Sequence, residues 1–253
     1  MKLATWNVNS LKIRLPRVLE FLALHAPDVL LLQETKCEPD AFPHAELADA
    51  GYHAVHHSAG RWNGVAIAAR SELPLQEERQ GLPGEAEAGE ARWIEASAGG
   101  LRVASVYVPN GRGLDSPEFP KKLAFFDAMR ERAGELDVLG GDLNVTRADV
   151  DVYDPAAFAG STHVTPEERA RFEALLEAGL SDAYRDLHPD DVGFTWWDYR
   201  QGHFHRKLGL RIDYLLLGAR LAGGVTSCGI DRNFRKGTKP SDHAPLLAEV
   251  TLS

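Results

Sequence analysis

The stretch Val138-Leu139-Gly140-Gly141-Asp142-Leu143-Asn144 decides the reading of this chain. An apolar run meets two glycines, then an acid and an amide one residue apart. In an extended chain alternate side chains share a face, so Asp142 and Asn144 are expected to project together from the end of a buried strand. The glycines let the backbone approach a neighbour or a substrate closely. A carboxylate beside an amide in such a place can hold a cation, a water and a phosphate oxygen. A plain Asp/Asn turn accounts for the same residues, so the choice rests with the rest of the chain.

Other runs end in the same way. Residues 2–8 read as a strand, with Leu3, Thr5 and Val8 as strand formers, Trp6 large enough to pack, and Asn7 and Asn9 closing it. Leu15, Val18, Leu19 and Leu22 recur at helical spacing, with Pro16 expected in the first turn, where proline is tolerated, and Pro27 as the stop. Residues 29–32, Val-Leu-Leu-Leu, form a fully apolar strand that runs into Gln33 and Glu34. Strand, helix and buried strand make a βαβ-like unit, which brings Asn7 and Glu34 to one edge if the strands are parallel neighbours. A carboxylate there is costly to bury unless it is paired or on a metal.

In the middle of the chain, residues 52–57 and 65–69 read as strands around Arg61-Trp62-Asn63-Gly64, with Asn-Gly as the hairpin turn. His56 and His57 are adjacent, face opposite sides and read as structural. Residues 81–89 read as an exposed acidic loop. Residues 92–96 and 101–108 are β-like, and Pro109 stops the second run after Tyr107. Phe119, Leu123 and Phe126 fall on one face of a helix ended by Gly134. Thr165-Pro166-Glu167-Glu168 is a capping box for a helix that buries Phe172, Leu175 and Leu176 and ends at Gly179. The aromatic segment 193–199 contains Trp196 and Trp197, of which at least one must face inward by alternation. Residues 211–217 are a buried strand carrying Arg211 and Asp213 at its start. Asp242 and His243 stand together in a proline-bounded turn before a last strand, 247–252.

Composition narrows the possibilities. The chain has 253 residues and ordinary globular composition, with no linker, repeat or low-complexity tract, so residues 1–253 are expected to form a single domain. No apolar run approaches the ~20 residues that span a bilayer, and the start is too short and polar for a signal peptide. Cys37 and Cys228 are the only cysteines, which points to a reducing cytoplasm. The net charge of −9 hides an uneven spread: residues 200–240 hold nine Lys or Arg against Asp213 and Asp231. A basic stretch next to aromatics suits a phosphate-facing, base-stacking surface. Acids at strand ends (Glu34, Asp142, Asp213, Asp242), two amides and an imidazole, without cysteine, suit Mg²⁺ or Mn²⁺ and metal-assisted attack of water on a phosphate ester.

The ordered co-occurrence of these motifs resembles the exonuclease III family, bacterial relatives of the abasic-site endonucleases in the endonuclease/exonuclease/phosphatase superfamily. The resemblance covers nearly the whole chain. It is carried by Trp6-Asn7-Val8-Asn9, Gln33-Glu34-Thr35-Lys36, Gly64-Val65-Ala66, Tyr107-Val108-Pro109, Gly141-Asp142-Leu143-Asn144, Trp196-Trp197-Asp198-Tyr199-Arg200, Arg211-Ile212-Asp213 and Pro240-Ser241-Asp242-His243-Ala244-Pro245. It implies a four-layer α/β sandwich, two mixed β-sheets packed face to face with helices outside, in a pseudo-twofold arrangement with the site where the loops of the two sheets meet. It implies a metal held by Glu34, with Asn7, Asp142, Asn144, Asp242 and His243 around it. Catalysis would fall to Asp142, Asn144, Tyr107 and His243, the last oriented by Asp213. Lys36, Asn110, His163, Trp196, Arg211, Arg235, Lys236 and Lys239 would contact DNA.

The implied activity is Mg²⁺-dependent DNA-repair hydrolysis on double-stranded DNA with damaged or free 3′ ends, by a monomer. Competing readings are a phosphatase of the superfamily acting on lipid or small-molecule phosphates, and a DNA-binding relative without catalysis. The aromatic and basic segment favours DNA over lipid, and the complete polar set argues against lost catalysis. Two positions depart from the pattern. Asn9 stands where many eukaryotic relatives carry aspartate. His163 stands where several relatives carry a small residue, in a segment that lines the pocket for an extruded deoxyribose. The expectation is better processing of 3′ ends than of internal abasic sites.

Overall fold

The computed structural model describes residues 1–252. Its strands, in chain order, are β1 (Lys2–Asn7), β2 (Val29–Gln33), β3 (Tyr52–Ala59), β4 (Trp62–Arg70), β5 (Leu75–Gln80), β6 (Trp93–Ala98), β7 (Leu101–Tyr107), β8 (Val138–Asp142), β9 (Leu180–Asp182), β10 (Asp213–Gly218), β11 (Val225–Ile230) and β12 (Leu246–Val250). They form two six-stranded mixed sheets, ordered β11-β12-β1-β2-β4-β3 and β5-β6-β7-β8-β10-β9.

Strand for strand the second sheet repeats the first. In each, one parallel pair joined through a helix sits at the centre: β1 with β2 across the helix Leu11–His25, and β7 with β8 across the helix Glu118–Ala133. The other pairings in both sheets are antiparallel.

The apolar runs are continuous because both faces of these strands are covered. Along β2, Val29 and Leu31 enter a core shared by the two sheets, while Leu30 and Leu32 pack beneath the helix Leu11–His25 with Val18, Phe21 and Leu22. Along β10, Leu215 and Leu217 enter the shared core, while Tyr214 and Leu216 pack outward with Phe126, Met129, Phe172 and Leu175. Helix, sheet, sheet and helix are the four layers. The glycine pair of β8 is what lets them close. A Cβ on Gly140 would lie 2.5 Å from Leu31 Cδ1 of the facing sheet, and one on Gly141, at φ +152, would lie 2.0 Å from the Val106 carbonyl oxygen.

Several local expectations are corrected. The first helix begins at Leu11, so Pro16 sits in its second turn rather than its first. Asn9 and Ser10 take positive φ and turn the chain into the helix, which hydrophobic spacing does not reveal. The β3–β4 turn is at Gly60-Arg61, with Ala59 pairing Trp62; Asn63 and Gly64 bend the start of β4 instead. The helix Glu118–Ala133 buries Lys122, Phe125, Phe126 and Met129, whereas Phe119 and Leu123 are half-buried. The segment 81–89 is not simply an exposed loop. Glu85 is buried there and accepts the backbone N–H groups of Leu82 and Arg92, and burial pushes its carboxyl up to about 7. Among the described residues no helix is long and apolar enough to cross a membrane.

Candidate active site

The parallel pair at the centre of each sheet delivers its strand ends to one place. Asn7, at the end of β1, donates from Nδ2 to Glu34 Oε1 at 2.7 Å and to Asp142 Oδ2 at 2.9 Å. One buried amide thus bridges an acid of the first sheet and an acid of the second. Asp142 lies opposite Tyr107 on β7 and opposite Asp213 on β10. Asp142 and Asn144 do not share a face by strand alternation. The strand ends at Asp142, and its Oδ1 accepts the Asn144 N–H at 3.0 Å while Asn144 turns to φ +50. This is the Asx turn of the plain reading, placed inside the site. Asn144 Nδ2 then donates to the Val108 carbonyl at 2.9 Å.

His243 Nδ1 faces Asp213 Oδ2 at 2.8 Å, and Nε2 lies 3.7 Å from Asp142 Oδ2. Burial opposes a charge on this imidazole, but Asp213 and Asp142 outweigh it and hold the ring up to about 10. An imidazolium has no lone pair for a metal, so His243 is built to donate. Asp142 is pushed up to about 7, first by burial, then against the pull of His243 by the charges of Asp213 and Glu34. Burial, with the charges of Glu34 and Asp142, holds the Tyr107 hydroxyl well above its ordinary value, so it too remains a donor. The Arg92 guanidinium lies over the Tyr107 ring at 4.8 Å. Asp242 accepts Asn9 Nδ2 at 2.9 Å and Trp196 Nε1 at 3.1 Å.

Glu34, Tyr107, Asp142, Asn144, Asp242 and His243 line a cavity of about 190 Å³ together with Asn110, His163, Trp196, Leu210 and Ile212. A larger cleft, about 440 Å³ and lined by Tyr184, Phe194, Trp197 and Arg232 among others, contains none of these acids. Chemistry rather than size identifies the site. Atoms of Glu34, Asp142 and His243 all lie within 4.8 Å of one another, the two carboxylates facing a cation's place and the imidazole a donor beside them. Among the described residues Asp213 Oδ1 is buried without a hydrogen-bond partner. Two facing carboxylates, with a third acid next to them carrying an unpartnered oxygen, fit a hard divalent cation.

The expected DNA contacts divide. Lys236 and Lys239 are exposed, and Asn110 reaches the cavity. Lys36 is half-buried and turned inward, to Glu34 Oε2 at 2.8 Å and Asn9 Oδ1 at 2.6 Å. Trp196 is half-buried on the cavity wall, while Trp197 is the inward-facing member of the pair. Arg211 is no DNA contact. It is fully buried, donating to Asp151 Oδ1 at 2.7 Å and to both oxygens of Asp182, with its guanidinium over the Tyr214 ring. Arg235 is also withdrawn, packed over Tyr199 and Phe204 and donating to the Trp197 carbonyl. A count of charges cannot tell a solvated arginine from one spent on structure.

His163 reaches the cavity from a backbone at φ +78, and its Nδ1 donates to the Asn144 carbonyl. Burial, helped by the Lys122 charge, lowers its pKa to about 4, so the ring is neutral with Nε2 toward Asn110 Nδ2 at 3.4 Å. Sequence reasoning missed three buried groups around the site. Ser241 Oγ donates to the Asn7 carbonyl at 2.7 Å, Thr195 Oγ1 accepts the Asp213 N–H at 3.1 Å, and Lys122 is described below. Only Ser241, inside the Pro-Ser-Asp-His segment, had a local signal.

Comparison with known proteins places the whole chain. Exodeoxyribonuclease III of Haemophilus influenzae is 33% identical over 267 residues, covering 98% of this chain and 99% of that one. The solved structure of the 3′ phosphatase NExo from Neisseria, bound to product DNA hairpin, superposes with a TM-score of 0.94 at 41% identity, covering 99% of both chains. That of an AP endonuclease from Archaeoglobus fulgidus gives 0.92 at 35% identity, covering 100% of both. Residues 4–243 match the model of the Endonuclease/Exonuclease/phosphatase family, and the chain belongs to that family.

Proposed function

We propose that this protein is a divalent-metal-dependent DNA-repair hydrolase that works at the 3′ ends of duplex DNA, removing 3′-phosphates or terminal nucleotides, and that internal abasic sites are its poorer substrate. The observation that carries the hydrolase reading is the convergence of Glu34, Asp142 and His243 within 4.8 Å at the meeting of two sheets. The relatives named above act, by their names, as an exodeoxyribonuclease, a 3′ phosphatase and an AP endonuclease, which supports DNA as the substrate. Two free buried thiols fit a reducing cytoplasm.

Glu34 and Asp142, the two carboxylates of that cluster, would hold Mg²⁺ or Mn²⁺, with Asn7 and Asp242 nearby. The bound ion supplies Lewis-acid polarisation of a phosphoryl oxygen. Asp142 orients the attacking water and takes its proton; the Asn144 side chain steadies that water or a phosphate oxygen. His243, charged and fixed by Asp213, and the Tyr107 hydroxyl donate to the phosphoryl oxygens as negative charge develops on them. Lys236 and Lys239 meet the DNA backbone.

His163 carries the substrate preference. A duplex abasic site must extrude its deoxyribose into a pocket. Here an imidazole, tied at Nδ1 to the Asn144 carbonyl, occupies the wall of a cavity of only about 190 Å³. A frayed 3′ terminus approaches the same acids without full extrusion.

The test uses end-labelled duplexes with a blunt 3′ end, a 3′-phosphate or an internal abasic analogue, in Mg²⁺ and in EDTA. Activity is expected in Mg²⁺ or Mn²⁺ and not in EDTA, strongest at 3′ ends, with His163→Gly raising abasic incision. Full activity in EDTA defeats the metal mechanism. Strong wild-type abasic incision, or no gain from His163→Gly, defeats the preference.

A further inference from the structure

Lys122 and Glu168 form an ion pair without solvent exposure between the helices Glu118–Ala133 and Pro166–Glu177. Two buried charges are costly unless hydrogen bonds satisfy what the pair leaves over. Here the remaining valences are spent on the site. Besides Glu168, the Lys122 ammonium donates to the Asn144 carbonyl at 2.6 Å and the Asn110 carbonyl at 3.3 Å, which uses all three of its donors. Glu168 Oε1 accepts the His163 N–H at 2.9 Å, and Oε2 accepts the N–H and hydroxyl of Thr165.

Asn110, Asn144 and His163 belong to three separate segments on one wall of the cavity. The ring of His163 is held as well, because its Nδ1 shares the Asn144 carbonyl with Lys122. Arg14 is the counterpart in the other half of the repeat. It lies in the helix that follows β1, as Lys122 lies in the helix that follows β7. It gathers the carbonyls of Asn9, Lys239 and Pro240. Each half thus draws its loops together with one buried helical cation, and Lys122 is the one bound to the His163 wall.

We propose that the Lys122–Glu168 pair is a positioning device for substrate choice: it holds His163 in the cavity wall and Asn144 beside Asp142, neither of its own charges touching substrate. The inference rests on the reading of His163 given above and extends it to residues outside the cavity. Releasing the pair frees the imidazole to move aside and loosens the Asn144 turn.

Kinetics of the Mg²⁺ enzyme on a 3′-phosphate duplex and on an internal abasic analogue separate this from a merely structural role. Lys122→Gln is expected to raise the abasic to 3′-phosphate ratio of kcat/KM by about tenfold, with kcat on the 3′-phosphate falling and KM changing little. Lys122→Arg, which keeps the donors, is expected to restore the ratio to near wild type. In a His163→Gly background Lys122→Gln should add almost nothing to the ratio, because residues acting through one group are non-additive. If Lys122→Gln does not fold, the double variant Lys122→Met/Glu168→Met, which leaves no buried charge unpaired, takes its place. A folded variant with an unchanged ratio, where His163→Gly alone raises it, overturns this proposal and leaves the reading of His163 standing. A ratio that His163→Gly itself does not move overturns that reading first, and this one with it.

Discussion

Asp142 is asked to be an anion at the place least suited to one. It is buried, opposite Asp213 and near Glu34, with His243 and the Asn7 amide as its relief. Asp142→Asn keeps the shape and removes the base, so turnover on a 3′-phosphate duplex should fall at least ~10²-fold, the scale of general acid–base catalysis. Near-normal turnover would mean that another residue takes the proton. The same strain has a thermodynamic signature. In the folded, metal-free protein the Asp142 pKa is raised from 3.8 to about 7, so the native state holds its proton more tightly than the unfolded chain does. Its contribution to stability is complete below about pH 4 and is lost as pH rises through about 7. Glu85 is raised to about 7 by burial and titrates in the same window. His243, raised from 6.5 to about 10, loses its contribution gradually between those two values, so it adds to the fall above about pH 6.5. In EDTA the Tm should therefore fall from pH 5 to pH 8, and Asp142→Asn should flatten the fall and melt higher than wild type at pH 8. Parallel pH profiles for the two proteins would show that Asp142 is not strained.

The segment 232–240 shows how one basic run divides its labour. The short helical turn Arg232–Arg235 puts Phe234 against Trp6 and Phe21 and folds Arg235 over Tyr199 and Phe204, while Lys236 and Lys239 stay in water. Each phosphate contact releases about one counterion, so Lys236→Ala with Lys239→Ala should reduce the salt slope of DNA affinity by about two. Arg235→Ala should instead lower the Tm and leave the slope near wild type. A reversed outcome, with Arg235 carrying the slope, would put that guanidinium on the DNA. Sequence alone could not divide the run this way, since burial of an arginine depends on what other segments place above it. For the same reason Lys122 went unread: it sits in no apolar run and is buried by partners distant in sequence. The buried central strands were legible because their signal is local, whereas β5, β9 and β11, short or largely exposed, went unread. The runs 29–32 and 214–217 are apolar on both faces, and nothing but a strand covered on both sides explains them in so few residues.

The doubled topology was legible only through family resemblance, because the two halves share strand order rather than a sequence repeat. Its consequence is that the candidate metal acids come from different sheets: Glu34 follows β2 of one and Asp142 ends β8 of the other, with the Asn7 amide between them. Without a cation the two carboxylates repel across the line where the sheets meet, and part of that repulsion appears in the raised Asp142 pKa. A divalent ion bound there would turn a repulsive seam into a tie between halves. Binding to the native state alone stabilises it by RT ln(1 + [L]/Kd), about 1.4 kcal/mol at ten times Kd. For a chain of this length that corresponds to a Tm rise of about 3–6 °C. Mg²⁺ added to the EDTA-treated protein should therefore raise the Tm in a saturable way, whereas Ca²⁺-free monovalent salt at equal ionic strength should not. Glu34→Gln should lose most of the shift at the same Mg²⁺ concentration and recover both shift and turnover in part as Mg²⁺ is raised. A wild-type Tm indifferent to Mg²⁺, or a Glu34→Gln variant that responds as wild type does, would remove Glu34 from the metal site and leave the seam held by the Asn7 amide and the shared apolar core.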